Sequence, residues 1–138
     1  MLAKEHGYTS DDKWVEYESD WAIEVFRDCT ENDNFWKPWS TPEPEHIKKS
    51  LKRFRKMLYI LEDRFSDGRR HAAGPSLTAA DFVLLGADCS FISNPYAPAF
   101  TSEFKSTLQE YPNVKRVIEK VKSENGLTEY ISSKNYTF

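Results

Sequence analysis

Apolar side chains recur along most of this chain at intervals of three or four residues, which is the spacing of one face of an α-helix. The clearest case is a seam of six residues that advances in five steps over eighteen positions, a mean of 3.6 residues per step. The seam residues are Ile47, Leu51, Phe54, Leu58, Leu61 and Phe65. The pattern predicts a long helix that packs against a neighbour along its whole length.

The segment from Asp12 to Thr30 repeats this period in two adjacent stripes, with charged residues on the far side. The first stripe consists of Trp14, Tyr17, Trp21 and Val25, and the second of Val15, Ala22, Phe26 and Cys29. Together they predict a helix that is buried along one broad face. The prolines and asparagines between Glu31 and Pro44 predict a loop that leads into the seam helix.

A third helix begins with a capping signature. Thr78 and Asp81 are spaced so that the Thr78 hydroxyl can accept from the Asp81 N–H while the Asp81 carboxylate accepts from the Thr78 N–H. Leu77 and Phe82 stand where a hydrophobic staple accompanies such a box. The segment from Phe82 to Cys89 is apolar almost all round, which predicts a helix at the buried centre of the domain.

Two weaker helical segments complete the pattern. One runs from Thr101 to about Glu110, and Pro112 opens the other, which Asn125 and Gly126 end. The residues of this last helix that are predicted to face inward are Val114, Val117, Ile118 and Val121. A short turn over 127–131 and a polar tail follow. With no alternating strand pattern anywhere, the fold class is all-α, a bundle of about five to six helices.

Charge and composition narrow the classes of partner. The 138 residues suit one domain. The 19 basic and 22 acidic residues give a net charge of −3, so the chain as a whole has no electrostatic attraction for nucleic acid. Six cations lie between Lys48 and Lys56, but they surround the seam and are interpreted as a solvated helix face. The longest apolar run is far below the roughly 20 residues that cross a bilayer. We therefore expect neither a nucleic-acid nor a membrane partner.

Candidate catalytic residues are few. The histidines lie in separate segments and the two cysteines, Cys29 and Cys89, lack metal-ligand spacing, so we expect no metal site and no disulfide. Asp28 continues the Trp14 stripe near the C-terminal end of its helix, where the helix dipole disfavours an anion. Either the helix frays there and Asp28 is merely solvated, or the carboxylate binds a cationic partner.

Four segments resemble the C-terminal domain of cytosolic glutathione transferases, especially the sigma, mu and pi classes. Residues 75–84 are similar to the capped start of that family's buried central helix, and residues 20–28 to its first long helix. Residues 111–117 and 127–131 resemble its last two helices. The resemblance covers nearly the whole chain and implies an all-α domain over residues 12–138.

The resemblance also implies that residues 1–11 correspond to the end of the family's thioredoxin-like N-terminal half and its linker. That half carries the thiol-activating residue, so no catalytic residue is expected in this chain, which should be inactive alone. A gene-model truncation, a fragment, a processed product and a stand-alone domain all remain open. Glutathione is then a co-substrate, no further cofactor is implied, and the location is the cytoplasm.

Site residues follow from the same resemblance. Asp28 corresponds to a carboxylate that reaches across a homodimer to the α-ammonium group of glutathione in the partner subunit. Phe35, Trp36 and Trp39 correspond to the pocket for a small apolar electrophile, with Phe138 closing it, although these aromatics suit a core equally well. The alternative is a non-catalytic helical docking module within a larger assembly, held by another protein.

Overall fold

A computed structural model of the chain describes residues 2–124 and residue 129. Within that part the fold is all-α, as predicted, with seven α-helices and no strand. The helices are α1 (Leu2–Glu5), α2 (Lys13–Thr30), α3 (Asp33–Ser40), α4 (Pro44–Arg64), α5 (Ala79–Ala87), α6 (Ser102–Leu108) and α7 (Pro112–Lys122). Short 3₁₀ turns span Phe65–Asp67 and Ala99–Thr101, and a π-helical turn, Asp88–Ile92, extends α5. None of the described helices has the length and apolarity to cross a membrane.

Helix α4 is the predicted seam helix, and its apolar side forms the middle of the core. Phe54, Leu61 and Phe65 are wholly buried, whereas the first two seam residues, Ile47 and Leu51, are only half-buried. Aromatic rings from α6 and the π-helical turn pack on this seam. The seam is therefore covered from Phe54 onward but open at its start.

The predicted broad buried face of α2 is wrong. The stripe that faces the core runs through Val15, Ala22 and Cys29, while Trp14 and Tyr17 are 61% and 56% exposed. The reason is Glu18, which lies between the stripes and is buried in ion pairs with arginines from α4 and the following loop. With Glu18 held in these ion pairs, α2 leaves Trp14 and Tyr17 exposed, while Trp21 and Val25 still pack partly against the core.

The predicted loop after α2 is also wrong, because it contains helix α3. The Asn32 side chain accepts a hydrogen bond from the Asn34 N–H at 3.0 Å, so an apparent helix breaker acts as an N-cap. Phe35 is fully buried, and its carbonyl accepts a bond from the Ser50 hydroxyl at 2.8 Å. Pro38 lies inside this short helix without ending it.

The structure confirms the predicted start and inward face of helix α7. The helix begins at Pro112, and the four residues predicted to face inward are all buried: Val114, Val117, Ile118 and Val121. The Glu62 carboxylate of α4 accepts hydrogen bonds from the Asn113 and Val114 N–H groups at 2.9 and 3.0 Å and caps the helix from outside. The helix ends at Lys122 with Ser123 as its C-cap, which is before the predicted stop at Asn125 and Gly126. Those two residues lie outside the described part of the chain, as does the turn over 127–131 apart from Glu129.

Candidate functional site

Asp28 lies in the last turn of an intact helix. Helix α2 continues to Thr30, and the Glu31 N–H bonds the Arg27 carbonyl at 2.8 Å, so the helix does not fray before the carboxylate. The Asp28 backbone carbonyl accepts from the Arg53 guanidinium at 2.9 Å, which satisfies a group that helix ends leave unpaired. Its side chain is exposed, and across residues 2–124 no cation forms an ion pair with it.

A depression of about 80 Å³ beside Asp28 is lined by Val25, Arg53 and Ile60, among others. It is far smaller than the roughly 300–1,000 Å³ of ordinary ligand pockets. Cys29 borders it, but burial raises the pKa of this thiol to about 12, against a smaller opposing effect of Arg53. The thiol is therefore neutral near pH 7 and unsuited to act as a nucleophile.

The side of α2 that carries Asp28 also carries three rings, the exposed Trp14 and Tyr17 and the half-buried Trp21, called here the α2 aromatic stripe. Helical spacing places these residues and Asp28 on one face. Trp14 and Tyr17 stack with centroids 5.4 Å apart, and the Arg64 guanidinium lies 5.9 Å from the ring centres of both tryptophans. The stripe is thus held in place while much of its surface stays uncovered.

The three predicted pocket aromatics occupy different environments. Phe35 has no exposed surface and packs against Phe91 with ring centres 5.6 Å apart, so it belongs to the core. Trp39 is half-buried, 5.0 Å from the Phe100 ring. Trp36 is 43% exposed and lines an open depression of about 470 Å³. Of these three residues, Trp36 presents the most surface to a ligand.

The structure does not bring Asp28 and Trp36 into one cavity. They line separate depressions on successive helices, and neither depression includes the other residue. Phe138, predicted to close the pocket, lies outside the described residues. Asp28 and the predicted pocket aromatics therefore do not form one site within residues 2–124.

The residues of the predicted capping box lie at the start of α5 and stabilise it. Thr78 is the N-cap of α5, and the fully buried Asp81 carboxylate accepts from the Thr78 N–H at 2.8 Å and from the Thr78 hydroxyl at 3.0 Å. Its other oxygen accepts from the Ala72 N–H at 2.7 Å. The Asp81 N–H bonds the Thr78 carbonyl at 3.1 Å. Burial raises the pKa of Asp81, and the hydrogen bonds from Ala72 and Thr78 oppose that shift. Leu77 packs against the core.

The sequence pattern missed a contact that places the N-terminal segment. The Tyr8 ring packs edge-on against Phe82 with centroids 4.6 Å apart, next to a cleft of about 210 Å³ between this segment and the start of α5. No periodic signal in residues 1–11 indicated this. In the part of the chain that the structure describes, no three potential metal ligands come together.

Comparison with known families gives the assignment. The model of the family described as glutathione S-transferase, C-terminal domain, matches residues 20–134. No curated protein and no solved structure matches the chain. Since the matched region is most of the chain, this protein belongs to the glutathione S-transferase C-terminal domain family.

Proposed function

We propose that this chain forms the electrophile-binding half of a cytosolic glutathione transferase similar to the sigma, mu and pi classes. In this proposal Asp28 binds the α-ammonium group of glutathione held by the partner subunit of a homodimer. The observation that carries it is an exposed carboxylate on an intact helix, without an ion-pair partner among the described residues, on the same face as the uncovered α2 aromatic stripe.

The chemistry divides between two halves. A thioredoxin-like half lowers the thiol pKa of glutathione by hydrogen bonding, and the thiolate attacks an apolar electrophile. This chain contributes apolar surface that includes Trp36, together with one anion for a charge-assisted hydrogen bond. In this proposal the thiol-activating residue belongs to the thioredoxin-like half, so we expect no conjugation by the chain alone.

The test joins the chain to a thioredoxin-like half of a sigma-class enzyme and compares Asp28→Asn with the parent. Because the amide removes one charge-assisted hydrogen bond, the KM for glutathione should rise about fivefold to tenfold while kcat changes less. Asp63→Asn is the matched control, since Asp63 is an exposed aspartate on α4, and it should leave KM unchanged. Steady-state kinetics with an aryl chloride measure both constants.

Three results would count against the proposal. An unchanged glutathione KM in Asp28→Asn removes the assigned role, and retention of the isolated chain on immobilised glutathione shows that the thiol site lies within it. Failure to associate with any thioredoxin-like half would favour the docking module instead. The cytoplasmic location belongs to the same proposal and agrees with two free, buried cysteines.

A further inference from the structure

The cleft between the N-terminal segment and the start of α5, called here the N-terminal cleft, is separate from the candidate site. Its volume is about 210 Å³, which is smaller than an ordinary ligand pocket and suits one small group. The lining is mainly apolar and includes Val15, Ile23 and the Tyr8 ring. Neither Asp28 nor Trp36 contributes to this cleft.

The apolar lining is held in place from behind. Gly74 lies so close to Val15 that a Cβ atom added to the glycine would be 2.6 Å from Cγ1 of the valine. The Tyr8 ring is fixed by its edge-on contact with Phe82, and Ile23 packs partly against the core. The cleft is therefore formed before any ligand binds.

One buried polar side chain in the cleft has no partner. Ser19 is 7% exposed and lines the cleft, and its hydroxyl forms no hydrogen bond with any residue that the structure describes. By contrast, the buried Ser50 and Thr107 hydroxyls donate to backbone carbonyls at 2.8 and 2.7 Å. A hydroxyl buried without a partner costs free energy. A ligand in the cleft that bonds this hydroxyl would remove that cost.

The charged residues of the cleft are both acidic. Glu16 and Asp20 are exposed and stand one helical turn apart, on the same side of α2 as Ser19. Neither forms an ion pair within residues 2–124, and none of the described lining residues is basic. Like charges at this spacing destabilise a helix slightly, and a cation bound between them would reverse that effect.

We propose that the N-terminal cleft binds a primary alkylammonium group. The ammonium group donates to the Ser19 hydroxyl and pairs with Glu16 and Asp20, while the alkyl chain covers Val15 and Ile23. Charge complementarity selects the cation, and the apolar lining selects the chain. The cleft has the liquid volume of about seven water molecules, so a chain of roughly five carbons fills it. The site requires neither glutathione nor a second subunit, so it is independent of the proposed function.

The test is a titration of the isotope-labelled full chain, followed through the chemical shifts of its backbone amides. Pentylammonium should bind with one-to-one stoichiometry and shift the amides of Ser19, Ile23 and Ala79 most. Pentanol, which lacks the charge, and ammonium chloride, which lacks the chain, should each bind at least about tenfold more weakly.

A further probe separates the two sources of an alkylammonium group, which are free amines and lysine side chains. It is lysine with an acetylated α-amino group and a methylamide at its carboxyl end. Binding of this probe as tightly as pentylammonium would support the proposal with the lysine of a partner protein as ligand. Binding of pentylammonium alone would support it with a free amine as ligand.

Two variants test the residues assigned to the ammonium group. Glu16→Gln/Asp20→Asn should lose about tenfold in pentylammonium affinity, because both opposite charges are removed. Ser19→Ala should lose about threefold, because one hydrogen bond is lost. The matched control is Asp63→Asn/Glu103→Gln, which changes the net charge equally at exposed residues outside the cleft and should alter affinity by less than about twofold.

Far-ultraviolet circular dichroism establishes that every variant is folded. Equal affinity for pentanol and pentylammonium would overturn the proposal, as would equal effects of the two double variants. Unchanged affinity in Ser19→Ala, or shifts that are largest at amides away from the cleft, would overturn it too.

Discussion

Asp81 is the residue on which the start of helix α5 depends. One carboxylate oxygen binds both the N–H and the hydroxyl of Thr78, at 2.8 and 3.0 Å, and the other binds the Ala72 N–H at 2.7 Å. All three donors are satisfied by a side chain with no exposed surface. The carboxylate therefore joins the helix cap to the loop that precedes it.

Asp81→Asn should destabilise the protein by about 2 kcal/mol. The amide keeps the shape, but its NH₂ group must face either the Ala72 or the Thr78 donor, which leaves a buried N–H unpaired. Urea unfolding followed by circular dichroism measures the change in the free energy of unfolding. Asp63→Asn on the exposed side of α4 is the control and should stay within about 0.5 kcal/mol of the parent. A similarly small change for Asp81→Asn would contradict this account of the cap.

Residue spacing was enough to predict part of this arrangement. The three-residue interval between Thr78 and Asp81 predicts a capping box because the geometry is local. The bond from Ala72 was not predictable, since nothing in a sequence says which loop amide a buried oxygen meets. The position of Asp28 on the α2 stripe was likewise predictable from spacing, whereas the bond from Arg53 to its backbone carbonyl was not.

At the scale of elements, the helices with the strongest period were predicted well and the weakly patterned ones were not. The α4 seam and the inward face of α7 follow from apolar spacing alone. Helix α3 was missed because Asn32 and Pro38 usually break helices, and the rotation of α2 was missed because a buried ion pair at Glu18 competes with its aromatic stripe. Tertiary contacts decided both cases.

The capping of α7 by another helix gives a prediction at this scale. Glu62→Gln should cost about 1 kcal/mol, because the amide loses both the charge and one acceptor at a helix N-terminus. Hydrogen exchange of the Asn113 and Val114 amides should accelerate in the variant, and chemical denaturation measures the global effect. Glu119→Gln is the control, since that exposed glutamate lies in the second half of α7. It should be neutral or slightly stabilising; an equal loss in both variants would show that the effect is not capping.

For the molecule as a whole, the feature with the largest consequence is the face of α2 that the described residues leave largely uncovered. The α2 aromatic stripe combines two strongly exposed rings, Trp14 and Tyr17, with a half-buried Trp21, while Arg64 holds the tryptophans in place. Clusters of large apolar groups on a soluble surface are typical of interfaces. The proposed homodimer places this face against a second copy and brings Asp28 to the partner subunit.

The association of two copies is therefore predicted to depend on this stripe. Trp14→Ser/Tyr17→Ser should weaken self-association by about tenfold or more, because exposed aromatic anchors contribute much of the energy of an interface and neither ring is part of the core. Sedimentation equilibrium of the chain joined to its thioredoxin-like half, over a range of concentrations, measures the dissociation constant. Tyr96→Ser is the matched control, since Tyr96 is 90% exposed in the loop after the π-helical turn and is not part of α2, and it should leave association unchanged. If both variants associate as the parent does, the dimer uses another surface and Asp28 cannot reach a partner's glutathione from this face.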